Sequence, residues 1–274
     1  MEISELKKIA NQRRADAVTM IQRANTGHTG GDMSSLDIIT CLYYDVMDVR
    51  PNDPDYPDRD RFLLSKGHSV EGLWAVLADK GFFPKEKLRT FSQAGSKLIG
   101  HPNNVIPGVE FCTGALGHGL PIGVGIALGA KRLGKSFRTY VLMGDGEQAE
   151  GSVWEAAMSG ANYKLDNLVA IIDRNGLQIS GSTEDVMALE DFHAKWEAFG
   201  WEVTEVDGNN MAQLHDYFHS IKNNGKPHAL IAKTVKGKGL PFAENIPAWH
   251  HKVPTAEQVQ EAYKALGVEG VDWL

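Results

Sequence analysis

Cysteine is scarce in this chain of 274 residues, which contains only Cys41 and Cys112. Two cysteines so far apart form neither a CxxC motif nor a disulfide framework, so we expect a reducing, cytoplasmic setting. The first residues lack the basic and apolar segments of a secretory signal. The longest apolar stretch, residues 119–130, is glycine-rich and shorter than the roughly 20 residues that cross a bilayer. These absences argue against a disulfide-stapled secreted domain and predict no membrane contact.

Basic residues are also in deficit. The chain has 28 Lys+Arg against 35 Asp+Glu, which gives a formal net charge of −7 with histidine neutral. This balance argues against a general binder of nucleic acid or of anionic membranes. Lys233, Lys236 and Lys238 form one local basic cluster, which we interpret as a solvated face. The hydrophobic fraction of 42% is typical of an ordinary globular protein.

Short apolar runs alternate along the chain with helical patterns. This rhythm predicts an α/β fold, a parallel sheet with helices on both faces. Residues 1–25 predict an amphipathic helix, and a second helix is expected after the glycine-rich break at 26–31, capped by Ser34 or Ser35. No Pro/Gly/Ser linker divides the chain, so we expect a single domain over residues 1–274. The predicted strands are 62–64, 139–143, 168–173, 201–206 and 229–234.

Polar side chains directly follow two neighbouring strands of this pattern. Gly144-Asp145-Gly146 comes after one strand and before a predicted helix, and Asn175 follows the next strand. Ligands bind at the carboxyl ends of parallel strands, and a helix start attracts an anion such as diphosphate. Asp145 would repel that anion unless a cation lay between them, so we expect Mg²⁺, with Asn175 and the Leu177 carbonyl as further ligands. Asp-Gly and Asn-Gly are also common turn sequences, and their pairing at adjacent strand ends is what favours a site.

Four of the ten histidines directly follow a glycine. With 29 glycines in 274 residues, about one such pair would be expected by chance. Histidines on glycine-shaped loops can offer an imidazole to phosphate, to a hydroxyl or to a moving proton. A zinc site is the alternative, but no HExxH or paired Cys/His spacing occurs. The histidines after glycine are His28, His68, His101 and His118, whereas His193, His215, His219 and His228 lie in ordinary helical or strand-edge contexts where a structural or surface role is expected.

Residues 113–129 are rich in glycine without forming a nucleotide-binding motif. The segment contains neither a GxGxxG that opens a helix after a strand nor a P-loop. Residues 114–117 predict a loop that lets a flat ligand approach closely. Residues 119–129 predict a buried helix that packs tightly against another helix, either of this chain or of a partner.

Together these motifs resemble the transketolase family. Asp145 and Asn175 are similar to the thiamine-diphosphate motif, in which Asn follows GDG at a set distance. The surrounding motifs occur in transketolase order across almost the whole chain, but only in the diphosphate-binding, N-terminal part of that family. The chain therefore resembles the N-terminal subunit of a split transketolase. The matching motifs are residues 25–30 (NTGHTG), 64–68 (LSKGH), 100–102 (GHP), 113–119 (TGALGHG) and 249–250 (WH).

The resemblance implies roles for individual residues. It assigns the metal to Asp145, Asn175 and the Leu177 carbonyl. It places His28, His101 and His250 against the substrate, where they would bind its hydroxyls or move protons. The residues assigned to the cofactor are His68, Gly114, Ala115, Leu116, Asp145, Gly146, Glu150, Asn175, Leu177, Ile179 and His250.

Some of these assignments are more specific. Within the cofactor set, His68, Gly146 and His250 resemble the diphosphate contacts, and Glu150 resembles a family glutamate at the subunit contact. The sequence departs from the family at His251, where glycine is common, and at His118, where glutamine is common.

The implied reaction is transfer of a two-carbon glycolaldehyde (ketol) unit from a ketose or its phosphate to an aldose or its phosphate. It uses thiamine diphosphate and Mg²⁺, or Ca²⁺ or Mn²⁺ in its place. The resemblance also implies a C-terminal transketolase subunit that carries the pyrimidine-binding domain, in a heterotetramer, and an inactive isolated chain. Ordinary pentose phosphates, a branched sugar and a sulfonated sugar all remain open as substrates.

Two alternatives remain beside this interpretation. The α-subunit of a 2-oxo acid dehydrogenase uses the same cofactor, but the histidine set and Trp249-His250 disfavour it. A non-catalytic regulatory module would retain the fold without the reaction, and the intact Asp145, Asn175 and His68 disfavour that.

Overall fold

The computed structural model describes residues 1–274. Five of its strands form a parallel sheet and two form a small antiparallel hairpin. The strands are β1 (Arg61–Leu64), β2 (Thr139–Gly144), β3 (Leu168–Arg174), β4 (Leu177–Gln178), β5 (Gly181–Ser182), β6 (Glu202–Asp207) and β7 (His228–Lys233). The sheet order is β1-β2-β3-β7-β6, and β4 pairs with β5. All five predicted strands are therefore present.

Nine α-helices surround the sheet. They are α1 (Ile3–Ala24), α2 (Thr29–Cys41), α3 (Val70–Lys80), α4 (Gly119–Arg132), α5 (Gly151–Asn162), α6 (Thr183–Val186), α7 (Phe192–Ala198), α8 (Met211–Ser220) and α9 (Ala256–Leu266). A π-helical turn, Leu42–Val46, extends α2. None of the helices is both long enough and apolar enough to cross a membrane.

Two hydrophobic cores lie on opposite faces of the sheet, which confirms the predicted fold class. In β3, Val169 and Ile171 belong to the larger core, whereas Ala170 and Ile172 belong to the smaller one. Successive side chains of a strand point to opposite faces, so a continuously apolar strand requires helices on both sides. Helices α1, α2, α3, α8 and α9 cover the larger core, and α4, α5 and α7 cover the smaller one.

The start of α2 differs from the prediction that Ser34 or Ser35 caps it. The helix begins at Thr29, inside the glycine-rich segment, and its N-cap residue His28 makes no side-chain cap bond. Both serine hydroxyls donate back to the Gly31 carbonyl at 3.0 Å, a hydrogen bond that serines form within a helix. The capping prediction was wrong because these hydroxyls are used inside the helix.

The parallel arrangement places the loops after β1, β2, β3 and β7 at one edge of the sheet. Gly144 at the end of β2 pairs with Asp173 near the end of β3, and Asp173 in turn pairs with Ala232 of β7. The carboxyl ends of three neighbouring strands are thus level with one another. This edge is where an open parallel sheet binds its ligands.

Candidate active site

The loops after these four strands line a cavity of about 410 Å³, which is within the size range of small-molecule sites. It lies at the carboxyl edge of the sheet, where the sequence predicts the site. Ten of the predicted site residues line it: His28, His68, Gly114, Leu116, Asp145, Gly146, Asn175, Leu177, Ile179 and His250.

Asp145 and Asn175 lie side by side at this edge. The Asp145 Oδ2 atom accepts a hydrogen bond from the backbone N–H of Gly176 at 2.6 Å. The Asn175 side chain donates to Asp173 at 3.2 Å and accepts from the backbone of Leu177 at 3.1 Å. Both side chains therefore line the same cavity.

The three predicted metal-binding oxygens suit a divalent cation. Asp145 is only 2% exposed, and burial raises the pKa of its carboxyl, as does the charge of Asp173. Such a carboxylate is stabilised by a cation placed against it, and Arg174 lies 3.2 Å from its Oδ2. The Leu177 carbonyl also faces a positive charge, because it accepts a hydrogen bond from Lys236 Nζ at 2.9 Å. Carboxylate, amide and carbonyl oxygens are the ligands that Mg²⁺ prefers, so the residues present fit this metal.

Glu147 ties the loop after β2 to the glycine loop before α4. Its two carboxylate oxygens accept from the backbone N–H groups of Gly117 at 2.8 Å and Gly144 at 3.0 Å. Gly117 has a φ of 78°, and a Cβ there would lie 2.5 Å from the Cβ of Glu150, so only glycine fits. The glycine loop is thereby held at the cavity wall, and Glu150 lies exposed behind it.

Three further predicted residues lie outside the cavity lining. Ala115 is exposed within the glycine loop. Glu150 is exposed too, as described above. His101 is adjacent to the cavity, since a Cβ on Gly114 would lie 3.1 Å from the His101 ring.

Five histidines from separate loops form a cluster beside the cavity. The ring of His28 is at its centre, 4.5 Å from His251, 5.2 Å from His68, 5.8 Å from His250 and 6.4 Å from His101, measured between centroids. The three predicted substrate-facing histidines, His28, His101 and His250, are therefore close together. His251 joins them although it replaces a glycine of the family pattern.

Burial keeps the inner imidazoles neutral. It lowers the pKa of His28 to about 4, of His68 to about 2 and of His250 to about 3, and neighbouring histidine and lysine charges lower these pKa values further. Near neutral pH the rings therefore carry a free lone pair and an N–H, which suits hydroxyl binding and proton transfer.

The sequence did not identify Lys66 and Lys236 as residues of the site, and the prediction that Lys236 lies on a solvated face was wrong. Lys236 is 2% exposed and lines the cavity, and its ammonium lies 3.0 Å from His250 Nδ1. Burial, aided by the charge of Lys66, lowers the pKa of Lys236 to about 8. Lys66 is equally buried, and its ammonium pairs with Asp173 and donates to the Gly31 carbonyl at 2.9 Å. Their position directly after β7 and β1 is the signal that could have found them.

A buried pair of carboxyl groups supports the His28 loop. Asp32 and Glu71 are both 0% exposed, and Glu71 accepts from the backbone N–H of His28 at 3.1 Å. Asp32 Oδ2 and Glu71 Oε2 are buried without another hydrogen-bond partner, and burial raises the pKa of Asp32 to about 6 and that of Glu71 well above its usual value. We conclude that the pair shares a proton. No sequence motif pointed to it.

A buried ammonium group, a metal-suited set of oxygens and neutral histidines at the carboxyl edge of a parallel sheet define an α/β protein whose site suits an anionic ligand held with a metal ion. The sequence matches the family described as transketolase, thiamine diphosphate binding domain, over residues 5–272. It is 52% identical over 267 residues to a subunit of the apulose-4-phosphate transketolase of Phocaeicola vulgatus, covering 97% of this chain and 95% of that protein.

Two further relatives agree. The 6-deoxy-6-sulfo-D-fructose transketolase subunit SqwG of a Clostridium species is 38% identical over 268 residues, covering 97% of this chain and 98% of that protein. The structure of transketolase from Campylobacter jejuni superposes with a TM-score of 0.94 at 31% identity, covering 100% of this chain and 44% of that chain. The chain therefore belongs to the transketolase family. It corresponds to the N-terminal, thiamine-diphosphate-binding subunit of a transketolase-type transferase.

Proposed function

We propose that residues 1–274 form a single domain that binds thiamine diphosphate together with Mg²⁺ in the cavity at the carboxyl edge of the sheet. The observation that carries this proposal is the convergence of Asp145, Asn175 and the Leu177 carbonyl beside a buried Lys236 ammonium. The three oxygens would hold the metal, and Ca²⁺ or Mn²⁺ could take its place. Lys236 would neutralise charge on the diphosphate.

The remaining cavity residues would orient the cofactor and the sugar. When bound, thiamine diphosphate supplies the nucleophilic carbanion and the electron sink for cleaving a ketose next to its carbonyl. His68, Gly146 and His250 would contact the diphosphate. The other cofactor contacts are proposed to be Gly114, Ala115, Leu116, Glu150 and Ile179.

The neutral histidines are proposed to act on the sugar. His28, His101 and His250 would bind its hydroxyls and move protons, a task for which their lowered pKa values leave them uncharged. Glu71 would hold the His28 loop in place through the His28 backbone N–H.

We further propose that activity needs a second polypeptide, a C-terminal subunit with the pyrimidine-binding domain, in a cytoplasmic heterotetramer. The chain spans 44% of the Campylobacter transketolase but nearly the whole of two relatives that are named as subunits. The chain is 52% identical to one subunit of an apulose-4-phosphate transketolase. For this reason we propose a branched sugar phosphate as the ketol donor or acceptor.

Calorimetric titration with thiamine diphosphate tests the cofactor site. We expect binding that requires Mg²⁺ and that is lost in Asp145→Ala and Asn175→Ala. The matched control is Asp166→Ala, which removes a carboxylate from the opposite edge of the sheet. Equal affinity with and without Mg²⁺, or in Asp145→Ala, would contradict the proposal.

Reconstitution with the C-terminal subunit tests the reaction. We expect ketol transfer from apulose 4-phosphate or xylulose 5-phosphate only when both chains are present. Robust turnover by this chain alone would refute the two-chain enzyme. Decarboxylation of a 2-oxo acid instead would favour the dehydrogenase α-subunit, and cofactor binding without any turnover would favour a regulatory module.

A further inference from the structure

A second cluster of metal-ligating side chains lies far from the proposed active site. His215 and His219 are one turn apart on α8, a paired histidine spacing that was not identified from the sequence, and Asp45 lies in the π-helical turn that extends α2. One side-chain ligand atom from each of the three lies within 4.8 Å of the others. We propose that His215, His219 and Asp45 form a zinc site, a role outside the transferase function.

The spacing of these atoms is close to that of a zinc centre. His219 Nε2 lies 2.8 Å and His215 Nε2 lies 3.6 Å from the same Asp45 oxygen, Oδ2. With zinc–ligand bonds of about 2.0–2.2 Å, two ligands of a tetrahedral zinc lie about 3.3 Å apart. The observed distances lie on either side of that value, so small side-chain shifts complete the three-ligand set.

The surroundings orient one of the ligands. His215 Nδ1 lies 3.0 Å from the Asp216 carboxylate, which favours the tautomer with the proton on Nδ1, and His215 Nε2 lies 3.6 Å from Asp45 Oδ2. A carboxylate on the second nitrogen is the usual partner of a zinc-bound histidine. Asp45 is held in turn, because its other oxygen accepts a hydrogen bond from the Met1 amino group.

Exposure leaves room for a further ligand. The Asp45 side chain is only 5% exposed, whereas those of His215 and His219 are 32% and 48% exposed. Three protein ligands and a water-accessible fourth position describe an open tetrahedral site.

The cluster is separate from the catalytic edge of the sheet. Asp45 follows His28 by seventeen residues of largely helical chain, which at 1.5 Å per residue spans about 25 Å. Helix α8 starts near the carboxyl end of β6 and returns toward the opposite edge. A metal at this place would therefore clamp α8 to the end of α2 and take no direct part in ketol transfer.

Zinc titration of the full chain tests the site. The chain is stripped with a chelator and saturated with thiamine diphosphate and Mg²⁺, so that the five active-site histidines do not compete. We expect one zinc ion per chain, a rise in melting temperature with zinc, and a tetrahedral absorption spectrum with Co²⁺. His215→Ala and His219→Ala should each weaken zinc binding at least tenfold, and the double variant should abolish it. Asp216→Asn, which keeps all three ligands, should weaken binding by about tenfold.

His193→Ala is the matched control, because His193 also lies near two carboxylates, those of Glu197 and Glu205, but has no second histidine. It should bind zinc like the unmodified chain. Circular dichroism and melting without metal should show that all variants fold. The proposal is overturned if the unmodified chain binds no zinc under these conditions, or if the His215→Ala/His219→Ala variant binds it with unchanged affinity.

Discussion

A single buried charge, that of Lys236, prepares the cavity for an anionic ligand. Its ammonium contacts the Leu177 carbonyl and His250 and lies close to the Lys66 charge. The Lys66 ammonium pairs with the buried Asp173 carboxylate, whereas Lys236 contacts a carbonyl oxygen and an imidazole, so the Lys236 charge is the one that a bound anion would stabilise.

Replacing this charge should weaken cofactor binding without unfolding the chain. A hydrogen bond to a charged group is worth about 1.5–3 kcal/mol, so Lys236→Met should raise the dissociation constant of thiamine diphosphate by about 10- to 150-fold. Calorimetric titration measures this, and the melting temperature of the cofactor-free chain should stay equal or rise. Lys233→Met is the matched control, because Lys233 is exposed and pairs with Glu205. Equal losses in both variants would contradict the role given to Lys236.

The Asp32–Glu71 pair makes stability depend on pH. Burial raises both pKa values, to about 6 for Asp32, so the folded chain retains a proton that the unfolded chain releases. The stabilisation is complete below the unfolded pKa values of about 4 and is lost as pH rises through the folded ones.

Glu71→Gln should remove this loss of stability at higher pH, because the amide can donate a hydrogen bond to an ionised Asp32 without a shared proton. The unfolding free energy of the variant should rise relative to the unmodified chain by on the order of 1–3 kcal/mol between about pH 4.5 and pH 8. Urea unfolding at several pH values measures the difference. Glu86→Gln, at an exposed position, should give a profile parallel to that of the unmodified chain. Parallel profiles for Glu71→Gln would show that no proton is shared.

At the scale of the elements, α4 uses glycines in two different ways. A Cβ on Gly123 would lie 2.5 Å from the Val141 side chain, so this glycine lets the helix pack closely against β2. A Cβ on Gly125, two residues further on, would meet no atom within 4 Å. Gly123 is therefore needed for the packing of α4 against β2, whereas Gly125 leaves the outer face of the helix flat.

Alanine substitutions should separate these two uses. Gly123→Ala should destabilise the chain by about 1–3 kcal/mol, because the added methyl group overpacks the helix against the sheet. Gly125→Ala should stabilise it by up to about 1 kcal/mol, the gain in helix propensity at an open position. Chemical unfolding of both variants measures the effects, and changes of the same sign would contradict this account of α4.

The elements were predictable where one local pattern decides the structure. Residues 169–172 are all apolar. Such a strand is stable only where both of its faces are buried, which means between two layers of helices. The start of α2 was not predictable, because Ser34 and Ser35 suit a cap as well as a helix interior. Lys236 was misassigned because its surroundings, Leu177 of β4 and His250, are distant in sequence. The Asp32 and Glu71 side chains lie on two helices that no motif relates.

At the scale of the whole molecule, an apolar surface remains beside the proposed active site. Helices α4 and α5 pack together, and Met158 on the outer side of α5 is 55% exposed. Trp154, Phe199 and Met187 line an open recess near Glu150, and Met187 is 62% exposed. Exposed apolar area of this kind marks an interaction surface. We expect this surface to contact the C-terminal subunit proposed above.

Charged substitutions on this surface should therefore prevent assembly while leaving the cofactor site intact. Met158→Glu and Met187→Glu should each cause at least a tenfold loss of affinity for the C-terminal subunit, because burying an unpaired carboxylate in an interface is costly. Sedimentation of the mixed chains measures association, and activity should recover at high partner concentration. Val105→Glu introduces the same charge at a residue that is 54% exposed, in a loop packed against the other core, and should assemble normally. If the two methionine variants assemble as well as Val105→Glu does, the partner binds elsewhere; if they also lose thiamine diphosphate binding as isolated chains, the surface belongs to the cofactor site instead.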